Sequence, residues 1–345
     1  MKTNSSIIIF ALLLPALALA QFDNAGTSAA NFLKIGVGSR AEAMAGAYVA
    51  QADDISTIFW NVAGLADLRQ REFMVTRTDW ILDVNLISVA ANLPLHETGA
   101  LAVSVNALSM GEIEETTPES PDGTGIHFDG GNLAVGLAYA RRLTDRFAVG
   151  LQGKYVNETV ANSKASGFAL DFGTLYQTDF RGLKIGMSIS HFGTKMRLEG
   201  REQLIRVDVD GGLGANPDET PARLETEGWP MPLVFRFGVS LDVFRASRQA
   251  LIANFDYFDY RDVSPGWSVG GEYALNNFVF LRGGFRALSP VEEIKDSGHQ
   301  DFFLTAGGGL DLHYPNSNYR LRLDYAYSDL GRLSQAHRFT FAFVF

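Results

Sequence analysis

Apolar residues recur at every second position along most of the chain after residue 72, and the last ten residues show this in its clearest form. One face of 336–345 carries Phe339, Phe341, Phe343 and Phe345; the other carries Arg338, Thr340, Ala342 and Val344. Strict alternation means a strand with two unlike faces. Large aromatics on one face and small or polar residues on the other suit a strand that stands between lipid and the interior of a barrel. The pattern repeats. Leu133, Val135, Leu137 and Tyr139 alternate with Ala134, Gly136, Ala138 and Ala140; Phe168, Leu170 and Phe172 with Ala169, Asp171 and Gly173. Phe235, Phe237 and Val239 alternate with Arg236, Gly238 and Ser240; Leu321, Leu323 and Tyr325 with Arg320, Arg322 and Asp324. Strands are predicted at 72–80, 85–93, 98–108, 131–142, 145–157, 166–178, 182–192, 231–243, 248–259, 266–275, 277–286, 301–313, 318–328 and 336–345. That is an even set of fourteen, as in closed bacterial barrels, and closure is what leaves no unpaired edge in lipid. The fold class expected is all-β, a transmembrane antiparallel β-barrel.

The connections alternate in length. Those near 94–98, 143–144, 179–181, 245–247, 276 and 315–316 are short, whereas 109–130, 158–165, 193–230, 287–300 and 329–335 are longer. Barrels of the bacterial outer membrane pair short periplasmic turns with long outer loops. The alternation therefore predicts an outer-membrane location with both chain termini in the periplasm. It makes 109–130, 193–230 and 287–300 the extracellular loops that would meet a partner. The first carries the acidic residues Glu112, Glu114, Glu115, Glu119 and Asp122, which read as a solvated charge cluster.

The first residues change the address. Lys2 precedes an apolar run from Ile7 to Ala20, and Ala18-Leu19-Ala20 has the small-x-small form of a cleavage site. Residues 1–20 thus read as a signal peptide. Residues 21–68 are rich in Gly and Ala, with a short helix predicted within Arg40–Ala52. They lack the bulk for a core of their own and suit a plug inside something larger. Residues 69–345 form the barrel. The formal net charge of −10 argues against nucleic acid as a partner, and the absence of Cys excludes disulfides and cysteine-ligated metal.

No catalytic constellation stands out. The six histidines show no zinc-site spacing, Gly36-Val37-Gly38 lacks the context of a dinucleotide loop, and Asp208-Val209-Asp210-Gly211-Gly212 lacks the remaining ligands of a calcium loop. The chain is therefore read as a non-enzyme, with no catalytic, cofactor-binding or metal residues and no cofactor. Polar residues on the predicted inner face are the remaining candidates. Among Lys154, Asp171, Lys184, Arg236, Asp242, Arg320, Arg322 and Asp324, the four taken as lumen candidates are Arg236, Asp242, Arg322 and Asp324. Both signs are present, so pairing with each other and with the plug is expected over a polar conduit.

The run Gly26-Thr27-Ser28-Ala29-Ala30-Asn31-Phe32-Leu33-Lys34-Ile35-Gly36-Val37-Gly38-Ser39-Arg40 resembles the start of mature PorV/PorQ-family outer-membrane proteins. It continues through Ala43-Met44-Ala45-Gly46-Ala47-Tyr48-Val49-Ala50, Asp53-Asp54 and Phe59-Trp60-Asn61-Val62-Ala63-Gly64-Leu65. Ala45 stands where the family has a Gly, and Val62 where it has a Pro. The resemblance implies a FadL-like barrel of fourteen strands with an N-terminal hatch. It gives Arg40, Met44, Gly46, Asp53, Asp54, Asn61 and Gly64 a structural or gating role. It implies a type IX protein secretion component that binds cargo or partner proteins at the cell surface. The alternative it carries is a FadL-like transporter of long-chain fatty acids or other hydrophobic small molecules. That alternative needs an apolar pocket near the outer mouth, to which Phe278 and Phe280 would contribute unless they pack on the plug. Outer-membrane lipid is the further partner, and a terminal Phe345 resembles the assembly signal of bacterial barrels.

Overall fold

The computed structural model describes residues 26–207, 220–288, 302–315, 317–331 and 334–345. Fourteen strands form the wall. They are β1 (Glu72–Asp79), β2 (Asn85–Pro94), β3 (Ala100–Glu114), β4 (His127–Arg142), β5 (Phe147–Val160), β6 (Ser163–Gln177) and β7 (Lys184–Gly193), then β8 (Val234–Arg245), β9 (Gln249–Tyr260), β10 (Val263–Leu275), β11 (Val279–Leu288), β12 (Phe302–His313), β13 (Arg320–Asp329) and β14 (Gln335–Val344). Each pairs antiparallel with its neighbours in the chain, and β1 also pairs with β14, Thr76 opposite Thr340. The sheet closes on itself, so every strand has two partners, as an apolar solvent demands.

Alternation sorts the two faces. Leu137, Phe168, Leu281, Leu304 and Phe339 are among the most exposed apolar side chains, while their neighbours Ala138, Ala169, Arg282 and Arg338 are buried. Outward rings stack from strand to strand: Trp267, Phe285 and Phe302 lie 5.4 and 5.7 Å apart in succession. A continuous apolar exterior with aromatic rows is the surface that a bilayer solvates.

Arg71 and Phe345 exchange backbone hydrogen bonds of 3.1 and 2.9 Å at what we call the terminal end of the barrel. The long connections gather at the opposite, loop end. Several are shorter than expected because the strands run on. β3 and β4 extend into the 109–130 region, leaving only 115–126 as connection, and tight turns at 161–162 and 261–262 join β5 to β6 and β9 to β10. The connection from β7 to β8 has structure of its own. Met196 pairs with Trp229, Glu199–Gly200 pairs with Ser163 and Lys164 of β6, and Leu204–Val207 forms a ribbon with Thr220–Arg223. The signal segment 1–20, the run Asp208–Gly212 and most of the 287–300 loop lie outside the described residues.

Residues 27–68 thread the lumen from one end to the other. At the loop end, the Ala29 amide donates to Pro230 O at 2.9 Å, and the Ala30 amide donates to Glu158 Oε2 at 3.0 Å. At the terminal end, Asp67 pairs with Arg142 at 2.7 Å. The described chain therefore starts, at Gly26, at the end of the barrel opposite Phe345. The predicted Arg40–Ala52 helix is also shorter than expected. Only Ser39–Ala43 is helical, because Ala45 (φ 58°), Gly46 (φ 75°) and Ala52 (φ 40°) adopt the left-handed region and fold the chain back.

Close approach between hatch and wall explains part of the glycine content. A Cβ on Gly186 of β7 would lie 2.4 Å from Val49 O, and one on Gly150 of β5 would lie 2.5 Å from the Val62 carbonyl carbon. Backbone meets backbone there, and any side chain would force the two apart.

Candidate functional site

The lumen is the site, and most of its charge sits where hatch and wall meet. Arg40, on the short helix, reaches three carboxylates. Its Nε is 2.7 Å from Glu272 Oε2, and its Nη1 is 2.8 Å from Asp53 Oδ1 and 3.0 Å from Asp54 Oδ2. Glu272 of β10 lies directly opposite Arg282 of β11 and accepts from its Nε at 2.6 Å. Arg282 in turn holds Asp324 of β13 at 2.5 Å. On the far side of Asp54, Arg322 lies 3.8 Å away and holds Glu72 of β1 at 2.6 Å. One alternating chain of charge therefore ties the hatch to β1, β10, β11 and β13. A second pairs Glu42 with Arg338 at 3.2 Å and Arg286 at 3.6 Å, and Lys34 meets Asp262 at 2.5 Å. Buried charges of this kind are tolerated only in such complementary sets.

The remaining hatch-motif residues have local duties. Met44 is fully buried, with its backbone against Gly284 and its Cβ against Gly270. Ala45, where the resembling family has Gly, holds a left-handed conformation that costs an alanine about 1–2 kcal/mol. A Cβ on Gly46 would strike Arg286 and Trp60, and one on Gly64 would strike Ala52 O. Asp53 accepts from Tyr48 Oη at 3.2 Å as well as from Arg40. Asp54 caps the Ile55–Phe59 turn by accepting from the Ser56 amide at 2.9 Å. Asn61 caps Val62–Asp67, accepting from the Ala63 amide at 3.2 Å while its Nδ2 donates to Val49 O and Thr174 O. That capping bond starts the turn at the position where Val62 replaces a proline, so no fixed φ is needed.

Two sequence-derived assignments change. Asp242 shares the inward parity of Arg236 but sits at the terminal end of β8, away from the hatch network, paired at 2.9 Å with Arg245 three residues along the same strand. A register shift between Asp242 and Phe244 marks the strand's irregular end. Phe278 lies in the turn before β11, 46% exposed, and Phe280 begins that strand with Arg282 stacked over its ring at 5.3 Å. Both belong to the terminal end, so neither lines a pocket at the opposite mouth. Arg322 and Asp324 do join the hatch network, and Arg236 is buried beside it. Glu42, Glu272, Arg282, Arg286 and Arg338 were missed. Glu272 and Arg282 were readable as opposite charges at one level of adjacent strands, but the register that sets them together was not.

Little room is left inside. A cavity of about 30 Å³ lies beneath Leu33–Val37, walled by Trp60, Lys154, Asp171, His191, Arg236 and Tyr260 among others. Lys154 Nζ donates to Asp171 Oδ2 at 2.7 Å and to His191 Nδ1 at 2.6 Å, while Asp171 Oδ1 accepts from the His191 amide at 2.8 Å. His191 stands at φ 64°, where two residues of β7 oppose one of β6. A second cavity, of about 10 Å³, lies between Arg40, Asp54 and Arg322.

A closed fourteen-strand wall, an apolar exterior and an ion-paired hatch define an outer-membrane β-barrel. The model of a family described as type IX secretion system protein PorV matches residues 19–218, and the chain belongs to that family. Among solved structures it is similar to the Pseudomonas putida toluene transporter TodX, with a TM-score of 0.57 and 13% identity over 90% of this chain and 96% of that one. It is also similar to the Ralstonia pickettii toluene transporter TbuX, with a TM-score of 0.55 and 12% identity over 90% of this chain and 97% of that one. Identity this low shows a common fold alone. Curated proteins yield no match.

Proposed function

We propose that this PorV-family barrel acts without catalysis, as a type IX secretion component that binds cargo or partner proteins at the cell surface. Its loop end faces outward and Phe345 faces the periplasm. The observation that carries this reading is the filled lumen. Passage through the barrel would require dislodging a hatch tied to the wall through Lys34, Arg40, Glu42, Asp54 and Asp67. The loop end, by contrast, offers surface without rearrangement. Leu198, Leu204, Leu224 and Trp229 in the connection from β7 to β8 are 37–54% exposed there. The connection between β3 and β4 flanks the same mouth.

Affinity capture from detergent-solubilised envelopes tests this. Recovery of secretion components or cargo is expected from the intact barrel and lost when 199–226 is replaced by a short Gly/Ser linker. Capture of neither, in a host that encodes the system, would sink the reading. The alternative, a transporter of long-chain fatty acids or other hydrophobic small molecules, is less favoured because cavities of about 30 and 10 Å³ do not hold an acyl chain. Saturable uptake of a labelled fatty acid by proteoliposomes would restore it. Orientation has its own test. Epitopes placed between Gly26 and Thr27 and after Phe345 should differ in accessibility on intact cells, the first exposed and the second protected.

A further inference from the structure

Arg236 is a lumen arginine for which, among the described residues, no ion pair is found; Arg322 also has an unpartnered Nε, but its other nitrogens meet Asp54 and Glu72. It is 7% exposed, and its guanidinium lies over the rings of both Trp60 and Tyr260 at 5.5 Å. Nη2 donates to Tyr260 Oη at 2.9 Å. Nη1 is buried with no hydrogen-bond partner, and among the described residues no carboxylate lies within ion-pair distance of Arg236. The nearby acids have other partners, although Asp256 Oδ1 is itself left without one. Asp171 holds Lys154, Glu42 is shared by Arg338 and Arg286, and Asp256 accepts the Tyr48 and Val49 amides at 2.9 Å each. A buried guanidinium with no carboxylate in direct contact is costly, whereas one clamped between rings with a free N–H is well placed to hold an anion.

The cavity beside it fixes the size. Its roughly 30 Å³ admits about two water-sized species. Asn106 Oδ1, which belongs to another wall residue of this cavity, is also buried without a partner and needs a donor. We propose that the cavity is a binding site for one small monovalent anion, of halide or formate size, held by Arg236 Nη1. A single water beside the anion donates to Asn106. The anion offsets the charge of Arg236 and fastens the hatch at Trp60 to β8 and β9. Larger carboxylates are excluded by volume.

Crystals of the full barrel in detergent, soaked in sodium bromide and measured at the bromine absorption edge, test the site directly. An anomalous peak at hydrogen-bond distance from Arg236 Nη1 is expected; only water there overturns the proposal. In solution, the thermal transition should rise saturably when bromide replaces gluconate at constant ionic strength. Arg236→Gln, verified as folded by heat-modifiable mobility, should lose that rise. An equal rise in both proteins overturns the assignment to Arg236. If the variant fails to assemble, the bromide map of the unmodified protein still decides the question.

Discussion

Removing the carboxylate of Glu272 should loosen the hatch while leaving the wall closed. Glu272 is 2% exposed and serves two guanidiniums at once, Arg40 and Arg282, at 2.7 and 2.6 Å, with Gln51 Nε2 at 3.2 Å. Glu272→Ala leaves both cations buried beside an empty space. Breaking a buried pair from one side typically costs about 3–5 kcal/mol, because the remaining charge is uncompensated. Arg40 keeps Asp53 and Asp54, and Arg282 keeps Asp324, so the low end, about 3 kcal/mol, applies here. The strands themselves are held by their backbone ladders, in which the Glu272 side chain has no part, so the loss falls on the hatch. Because the chain has no Cys, Ser39→Cys supplies a lone reporter thiol. Ser39 is fully buried and bonded to Thr340 Oγ1 at 2.8 Å, so it reacts only when the hatch comes away. With maleimide labelling limited by that opening, 3 kcal/mol predicts labelling about 100-fold faster in S39C/E272A than in S39C. Glu272→Gln, which keeps an acceptor but not the charge, should fall between them. A rate within threefold of S39C would refute the claim that this network holds the hatch. Faster labelling accompanied by loss of heat-modifiable mobility would show that the wall depends on it too.

Other perturbations separate close packing, lipid contact and assembly. Gly186→Val should destabilise the barrel by about 1–3 kcal/mol in thermal or denaturant unfolding, because its Cβ would lie 2.4 Å from Val49 O. The same change at Gly153, where the nearest atom is 3.9 Å away, should be nearly silent. Leu137→Arg, at a lipid-facing site 62% exposed in the absence of lipid, should cost about 2–4 kcal/mol in urea unfolding from vesicles if it lies near mid-bilayer. Deleting Phe345, or replacing it with Asp, should reduce membrane assembly, scored by the fraction of protein with heat-modifiable mobility. Normal assembly of that variant would show that the closing residue carries no signal.

Much of the wall was legible because its two surroundings are so unlike. A residue facing lipid must be apolar and one facing the hatch must be small or paired, so a period of two survives along every strand. Boundaries were less legible where β3 and β4 run beyond the apolar band into water. There a register shift between Ser109 and Glu112 breaks the period of two and the pattern fades. The hatch was legible as something small and Gly-rich, and its motif residues as a group. Its path was not, since 27–68 has no periodicity and takes its shape from left-handed turns at Ala45, Gly46 and Ala52 and from the wall around it.

The amino-acid sequence by itself determined a closed, lipid-facing, even-stranded barrel, through alternation, connection length and the aromatic ending. Only the tertiary structure decided which charges meet. Arg40, Glu272, Arg282 and Asp324 are far apart in the chain and become neighbours through the strand register and the hatch's descent. It also moved Asp242 to the rim and Phe278 and Phe280 to the terminal end, and set Gly26 at the mouth opposite Phe345. The physical reason is that lipid contact depends on one residue's own polarity, whereas an ion pair or close backbone contact depends on two positions that local sequence does not bring together.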